Sequence, residues 1–258
     1  MKTQLFHVVF TLLLVFMAFL PEGCKRGADD PVLSFRSRKA RICSDWSVSS
    51  YENNVTSKII YPGGNTDEYT VNSVNDGSQT TETRNVTGLS TQTSTYDETV
   101  SYTFKKNGTW KSFVEKIVVT KETIAVPPAN FHYLLSTRNE ISIQKNGVWN
   151  FTGSVGDAKS KENMLLTPTE VTETSVKKDT YTALDAGAPS VPPANAVTTS
   201  TTTSYTNHYE LWKIIELRKK ALKAVIEYKS SYSKTIGGTI SGNSTVESGT
   251  WAINLESK

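Results

Sequence analysis

Along most of this 258-residue chain, large apolar residues alternate with polar ones at a spacing of two, in short runs separated by turn signals. In "DWSVSSYE" (45–52), Trp46 and Val48 alternate with polar residues and the run ends in Tyr51. "EYTVNSV" (68–74) and "TETRNVTGL" (81–89) flank Asn75-Asp76-Gly77, a turn signal. "NMLLTPTEVTETSV" (163–176) and "SGTWAINLE" (248–256) continue the pattern. Thr and Ser are abundant throughout, which favours strands over helices. Many short strands without long βα alternation predict an all-β fold, an antiparallel barrel or sandwich.

Two segments repeat a local spelling. "YTFKKNGTWKSFV" (102–114) and "ISIQKNGVWNFTG" (141–153) both carry Lys-Asn-Gly-x-Trp between alternating apolar residues. Asn-Gly in that setting is a strong hairpin signal, because both residues tolerate positive φ. A three-residue loop with a type I turn and a left-handed Gly bulge pairs Ile143 with Trp149 and Ile141 with Phe151, on one face. The same register in the first copy gathers Tyr102, Phe104, Trp110 and Val114. A slip of one residue would turn each set outward. The expectation is therefore two bulged hairpins, with Gly108 and Gly147 in left-handed positions. "VPPAN" also recurs, at 126–130 and 191–195, but its offset differs from that of the Asn-Gly pair, which argues against a tandem array.

One stretch reads two ways. "YELWKIIELRKKALKAVIEYKS" (209–230) is rich in helix formers and places Leu211, Ile214, Ile215, Leu222, Val225 and Ile226 at near-helical spacing. As two strands with a turn at Arg218–Lys220, it puts Leu222, Ala224, Ile226 and Tyr228 on one face instead.

The ends add location. "LFHVVFTLLLVFMAFL" (5–20), after Lys2, is an apolar run of signal-peptide length. Gly23-Cys24 follows shortly and resembles the lipobox of bacterial lipoproteins, in which the Cys becomes the acylated N-terminus. The resemblance implies a signal peptide at 1–23, lipid (palmitate) on Cys24 and anchoring to the outer membrane. An ordinary secretory signal and an uncleaved anchor are the other readings. The whole chain carries +3, of which residues 24–41 supply +4, so the body beyond is close to neutral. Residues 24–43 thus read as a basic tether, attracted to anionic headgroups or merely solvated. A nucleic-acid protein would show its basic stripe on the folded body, so none is expected as a partner. The tract "DAGAPSVPPANAVTTSTTTS" (185–204) lacks large apolar residues and reads as an insertion in a single domain spanning 44–258.

"DWSVSSYE", "YTFKKNGTWK", "GVWNFTGSVGDAKSKENMLLTP", "YELWKIIELRKKALKAVIEYK" and "SGTWAINLES" run in an order similar to that of lipocalin-like lipoproteins of Bacteroidetes-type bacteria, with Ser44 standing where lipocalins place a Gly. The resemblance implies an up-and-down antiparallel barrel with long loops and favours strands over the helix at 209–230. It also implies non-enzymatic binding of a small apolar or amphipathic ligand, with Phe104, Trp110, Ile143 and Trp149 as barrel-interior candidates.

Catalytic chemistry is not spelled. His132 and His208 stand in no metal-ligand spacing, and no motif surrounds Cys43 or the Gly63-Gly64 and Gly237-Gly238 pairs. No cofactor, metal or catalytic residue is expected. Three classes remain: a carrier with an open interior, an interaction lipoprotein whose barrel is filled by its own side chains and contacts a protein or glycan, and a hydrolase, for which no constellation is present. The volume of the barrel interior separates the first two.

Overall fold

The computed structural model describes residues 37–62, 64–86, 90–126, 131–152, 163–191, 197–236 and 239–257. A short helix, α1 (Arg38–Ile42), precedes ten strands: β1 (Asp45–Ile60), β2 (Thr66–Asn75), β3 (Gln79–Val86), β4 (Gln92–Phe104), β5 (Thr109–Val126), β6 (Phe131–Phe151), β7 (Asn163–Ala183), β8 (Val197–Leu217), β9 (Ala221–Ile236) and β10 (Thr239–Ser257). Each strand pairs antiparallel with its sequence neighbour and β10 closes on β1, giving an up-and-down barrel. The residues at 209–230 are strands: Arg218 N–H bonds the Ala221 carbonyl across the turn, and Leu222, Ala224 and Ile226 point inward. Burial inside a closed sheet outweighs helix propensity here. Outward faces carry residues such as Lys111, Glu115, Lys223, Glu227 and Lys229, all exposed.

The barrel has different widths at its two ends. At the lower end β1 pairs directly with β4, through Asp45–Thr103, Trp46–Tyr102 and Ser47–Ser101. Above Tyr51, β1 pairs with β2 instead, and β3 pairs with β4, so the β2–β3 hairpin is wedged into the seam. The barrel is therefore eight-stranded below the wedge and ten-stranded above it. The tip of the wedge is Asp76-Gly77-Ser78. Gly77 takes φ +100°, and a Cβ there would lie 2.7 Å from the Ser49 carbonyl. Ser49 is itself the extra residue where the β1–β10 register shifts, a bulge that bends β1 around the wedge.

Width decides filling. Eight strands leave an interior that side chains can occupy; more strands leave space. Inward rows across β8, β9, β10 and β1 follow this. The lowest is Leu217–Leu222–Leu255–Val48, then Ile214–Ala224–Ile253–Tyr51, then Trp212–Ile226–Trp251–Asn53. Above these come Glu210–Tyr228–Gly249–Val55 and His208–Ser230–Glu247–Ser57. The lower half is a packed core in which Trp46, Trp110, Trp149, Trp212, Phe104 and Met164 are buried. Its rings meet edge-on, Phe104 with both Trp149 and Trp212 at 5.9 Å. α1 closes this end: Ser37 Oγ caps it by accepting from Ala40 N–H, Ile42 is buried, Trp46 Nε1 donates to the Ile42 carbonyl at 2.9 Å, and Arg41 bonds the Leu217 carbonyl. The expected tether therefore gives way to folded chain by Ser37, before residue 43.

The two Asn-Gly copies differ. The first is the expected bulged hairpin: Gly108 N–H bonds the Lys105 carbonyl, Lys105 N–H bonds Thr109, Gly108 takes φ +84°, and Phe104 faces Trp110. The second is no turn. Asn146 and Gly147 lie inside β6, paired with β5 at Lys111 and Trp110 and with β7 at Glu170 and Pro168. Alternation continues through them, so Lys145, Gly147 and Trp149 all face inward. Gly147 is glycine for closeness, not for φ: a Cβ would lie 2.3 Å from the Thr167 carbonyl oxygen and 2.6 Å from Trp110 Nε1. A second correction concerns 185–204, where residues 197–204 open β8 and pair with β7 and β9 rather than forming a loop.

Candidate functional site

Above the packed floor the barrel holds a chamber in two adjoining compartments. The larger, about 230 Å³, lies inside β1–β6, and the smaller, about 120 Å³, inside β8–β10; Lys145, Glu247 and Trp251 line both. Both volumes fall below the ~300–1,000 Å³ of drug-sized sites. Tyr51, Tyr69, Tyr96 and Tyr102 line the larger compartment with Asn53, Ser57 and Ser73. Trp251 stacks on Tyr51 at 5.5 Å and meets Tyr228 edge-on at 6.1 Å.

One hydrogen-bond network sits just above the wedge. The buried Glu98 carboxylate accepts from the Tyr51 hydroxyl, from Thr80 Oγ1 at 2.6 Å and from Lys116 Nζ at 3.2 Å. Asn75 Nδ2 donates to Thr80 Oγ1 at 2.8 Å. Five adjacent strands, β1 through β5, are thereby tied together where the seam opens. Tyr96 donates to Glu82 at 2.9 Å beside it. Burial, then the charge of Glu98, pushes the Tyr51 phenol far up; burial with Glu98 and Glu82 does the same to Tyr96. Burial followed by Glu247 raises Tyr228. These phenols therefore stay neutral donors at ordinary pH.

A second network faces it. Glu210 is buried on β8, with Lys145 Nζ at 3.2 Å, Trp212 Nε1 at 3.2 Å and His208 Nε2 at 3.6 Å. Burial would raise this carboxyl; Lys145, His208 and Trp212 outweigh it and hold the pKa down to about 2. A folded value below the unfolded one means that the ionised group stabilises the fold above pH ~4.5 and that this contribution is lost as pH falls towards 2. The contribution is on the order of 3 kcal/mol. Urea unfolding of wild type and Glu210→Gln should show a stability gap at pH 7 that narrows steadily between pH 4.5 and 2.5. A gap independent of pH would contradict the assigned ionisation.

The sequence-derived candidates divide between floor and chamber. Phe104, Trp110 and Trp149 are buried in the floor, where Trp149 Nε1 donates to the Lys105 and Thr109 carbonyls and so fastens the first hairpin to β6. Ile143 lines the larger compartment. Cys24 lies outside the described residues. Cys43 ends α1, partly buried, and burial raises its thiol, with Lys39 and Lys106 acting against that rise. His132 is exposed and bonds Asp185 by its backbone N–H (2.7 Å) and by Nδ1 (3.0 Å). Among the described residues no three His, Cys, Asp or Glu side chains gather as a metal ion would need. The chamber's own polar residues, Glu98, Glu210, Glu247, Lys116, Lys145 and Ser230, carry no motif. Their signal is parity: Glu98 shares its spacing with Tyr96, Val100 and Tyr102, and Glu210 with Trp212 and Ile214. No protein-family model matches the chain, and a search of curated proteins returns no match.

Proposed function

We propose that this chain is a lipid-tethered, non-enzymatic binding protein of the bacterial cell envelope, whose barrel carries a small amphipathic ligand in its upper half. The observation that carries the reading is the chamber itself. The interior is sealed below by aromatic packing and α1 but left open above, between aromatic walls and buried polar groups, the mixture that small-molecule sites use. The lipocalin-like order of motifs supports the same reading, and the lipobox-like Gly23-Cys24 supports the tether. α1 joins the barrel at its floor, so lipid on Cys24 would attach at that end and the chamber would face away from the membrane. An interaction protein with a self-filled barrel accounts for the floor but not for the chamber.

Native mass spectrometry of protein purified from its own host tests the carrier reading. Wild type should retain a small-molecule mass that Val71→Trp, which places an indole in the larger compartment, loses without unfolding. Equal adducts in both would exclude the chamber as the site. Fatty-acid labelling should disappear in Cys24→Ala; label that persists would refute the tether.

A further inference from the structure

Two neighbouring inward residues lack the counterparts that would suit them. Glu247 on β10 and Ser230 on β9 are direct cross-strand partners, so their side chains stand side by side, and both line the smaller compartment. Among the described residues Glu247 accepts only from hydroxyls, Ser57 at 3.3 Å and Tyr232 at 2.8 Å. Ser230 is 1% exposed, and among the described residues its Oγ has no hydrogen-bond partner. A buried hydroxyl in that state is costly unless something else completes it.

Two other carboxylates of the chamber are balanced by lysines. Lys116 meets Glu98 and Lys145 meets Glu210, each at 3.2 Å. Glu82, in the larger compartment, accepts from the Tyr96 hydroxyl at 2.9 Å. The chamber lining thus holds four glutamates against two lysines, which leaves Glu82 and Glu247 without a cation among the described residues, and of these Glu247 lines the smaller compartment. Directly below, the inward positions of β10 run Glu247, Gly249, Trp251. Gly249 contributes no side chain, and its place is taken by the β1 backbone at Asn54 and by the Tyr228 ring, so the open space is bounded by Glu247, Ser230, Tyr228 and Trp251.

We propose that the smaller compartment takes a small organic cation: an ammonium group donating to Glu247 and Ser230 Oγ, on a short apolar or aromatic body lying against Trp251, Tyr228 and Ile226. The proposal rests on the carrier reading above and narrows it to a ligand class. Aromatic faces beside a carboxylate suit a desolvated cation, which the ring quadrupoles also attract, whereas an anion would meet Glu247, with the lining's two lysines already engaged by Glu98 and Glu210.

Isothermal titration calorimetry with three shape-matched probes at fixed ionic strength decides it: phenethylammonium, 2-phenylethanol and phenylacetate. The ammonium should bind about tenfold or more tighter than the alcohol, as one charge-assisted hydrogen bond implies, and phenylacetate should bind weakest. Glu247→Gln keeps an acceptor for Ser57 and Tyr232. It should cut the ammonium affinity about tenfold while leaving the alcohol within about twofold. If the alcohol or phenylacetate binds as tightly as the ammonium, or Glu247→Gln leaves the ammonium unaffected, the cation assignment falls and the carrier reading stands. If none of the three binds, both fall.

Discussion

Gly147→Ala is expected to destabilise the barrel by about 3 kcal/mol, enough to lower the melting temperature by many degrees. A Cβ at this position would meet the Thr167 carbonyl oxygen at 2.3 Å, Trp110 Nε1 at 2.6 Å and Pro168 Cα at 2.8 Å. Two of these are backbone atoms of β7, and the third belongs to an indole fixed by its own bond to the Val148 carbonyl. None can withdraw without opening the β6–β7 pairing or the floor. Gly108→Ala makes the contrast. That residue sits at φ +84° in the hairpin, and its nearest contact would be the Trp149 carbonyl at 3.4 Å. Its cost is conformational, about 1–2 kcal/mol. Chemical denaturation of both variants should therefore rank Gly147→Ala as the more damaging. If it is the milder of the two, β6 does not run straight through Asn146-Gly147.

Glu98→Ala is expected to cost about 3 kcal/mol, at the lower end of what breaking a buried ion pair removes, because Lys116 is partly exposed. The loss is more than one contact. The Tyr51 and Thr80 hydroxyls and the Lys116 ammonium lose their shared acceptor where the wedge enters the seam. Glu98→Gln retains an acceptor oxygen and should cost about half as much. Hydrogen exchange should localise the effect, with protection lost first in β2, β3 and the adjoining halves of β1 and β4. A loss spread evenly over all ten strands, or one below about 0.5 kcal/mol, would show that the network does not hold the seam.

Alternation at a spacing of two made the architecture legible before any coordinates. Trp46 and Val48, the even-numbered run from Tyr96 to Phe104, and Leu222 to Tyr228 all fall on the inward face. The β2–β3 wedge was half visible: Asn75-Asp76-Gly77 marked the turn, but nothing local says that β1 leaves β4 for β2 above Tyr51, since that depends on pairings between residues about fifty positions apart. The second Asn-Gly misled for the same reason. Its preference for a turn is weak beside two long strands, β5 and β7, that bond β6 along its length. The chamber was the least legible part. Glu98, Glu210 and Glu247 look like ordinary surface carboxylates in Thr-rich strands, and only the register that turns them inward, opposite Lys116, Lys145 and Ser230, makes them a site.

The central claim is that the interior is packed solid below the wedge and open above it. A crystal structure of residues 37–258 at a resolution that shows ordered water tests it most directly. The account predicts density in the chamber, a ligand or bound waters, within hydrogen-bond distance of Ser230 Oγ and Glu247 and resting on Trp251, with none among Trp46, Trp110 and Trp212. Trp251 or Tyr228 rotated to fill the space beside Glu247 and Ser230, leaving no chamber above the floor, would contradict it.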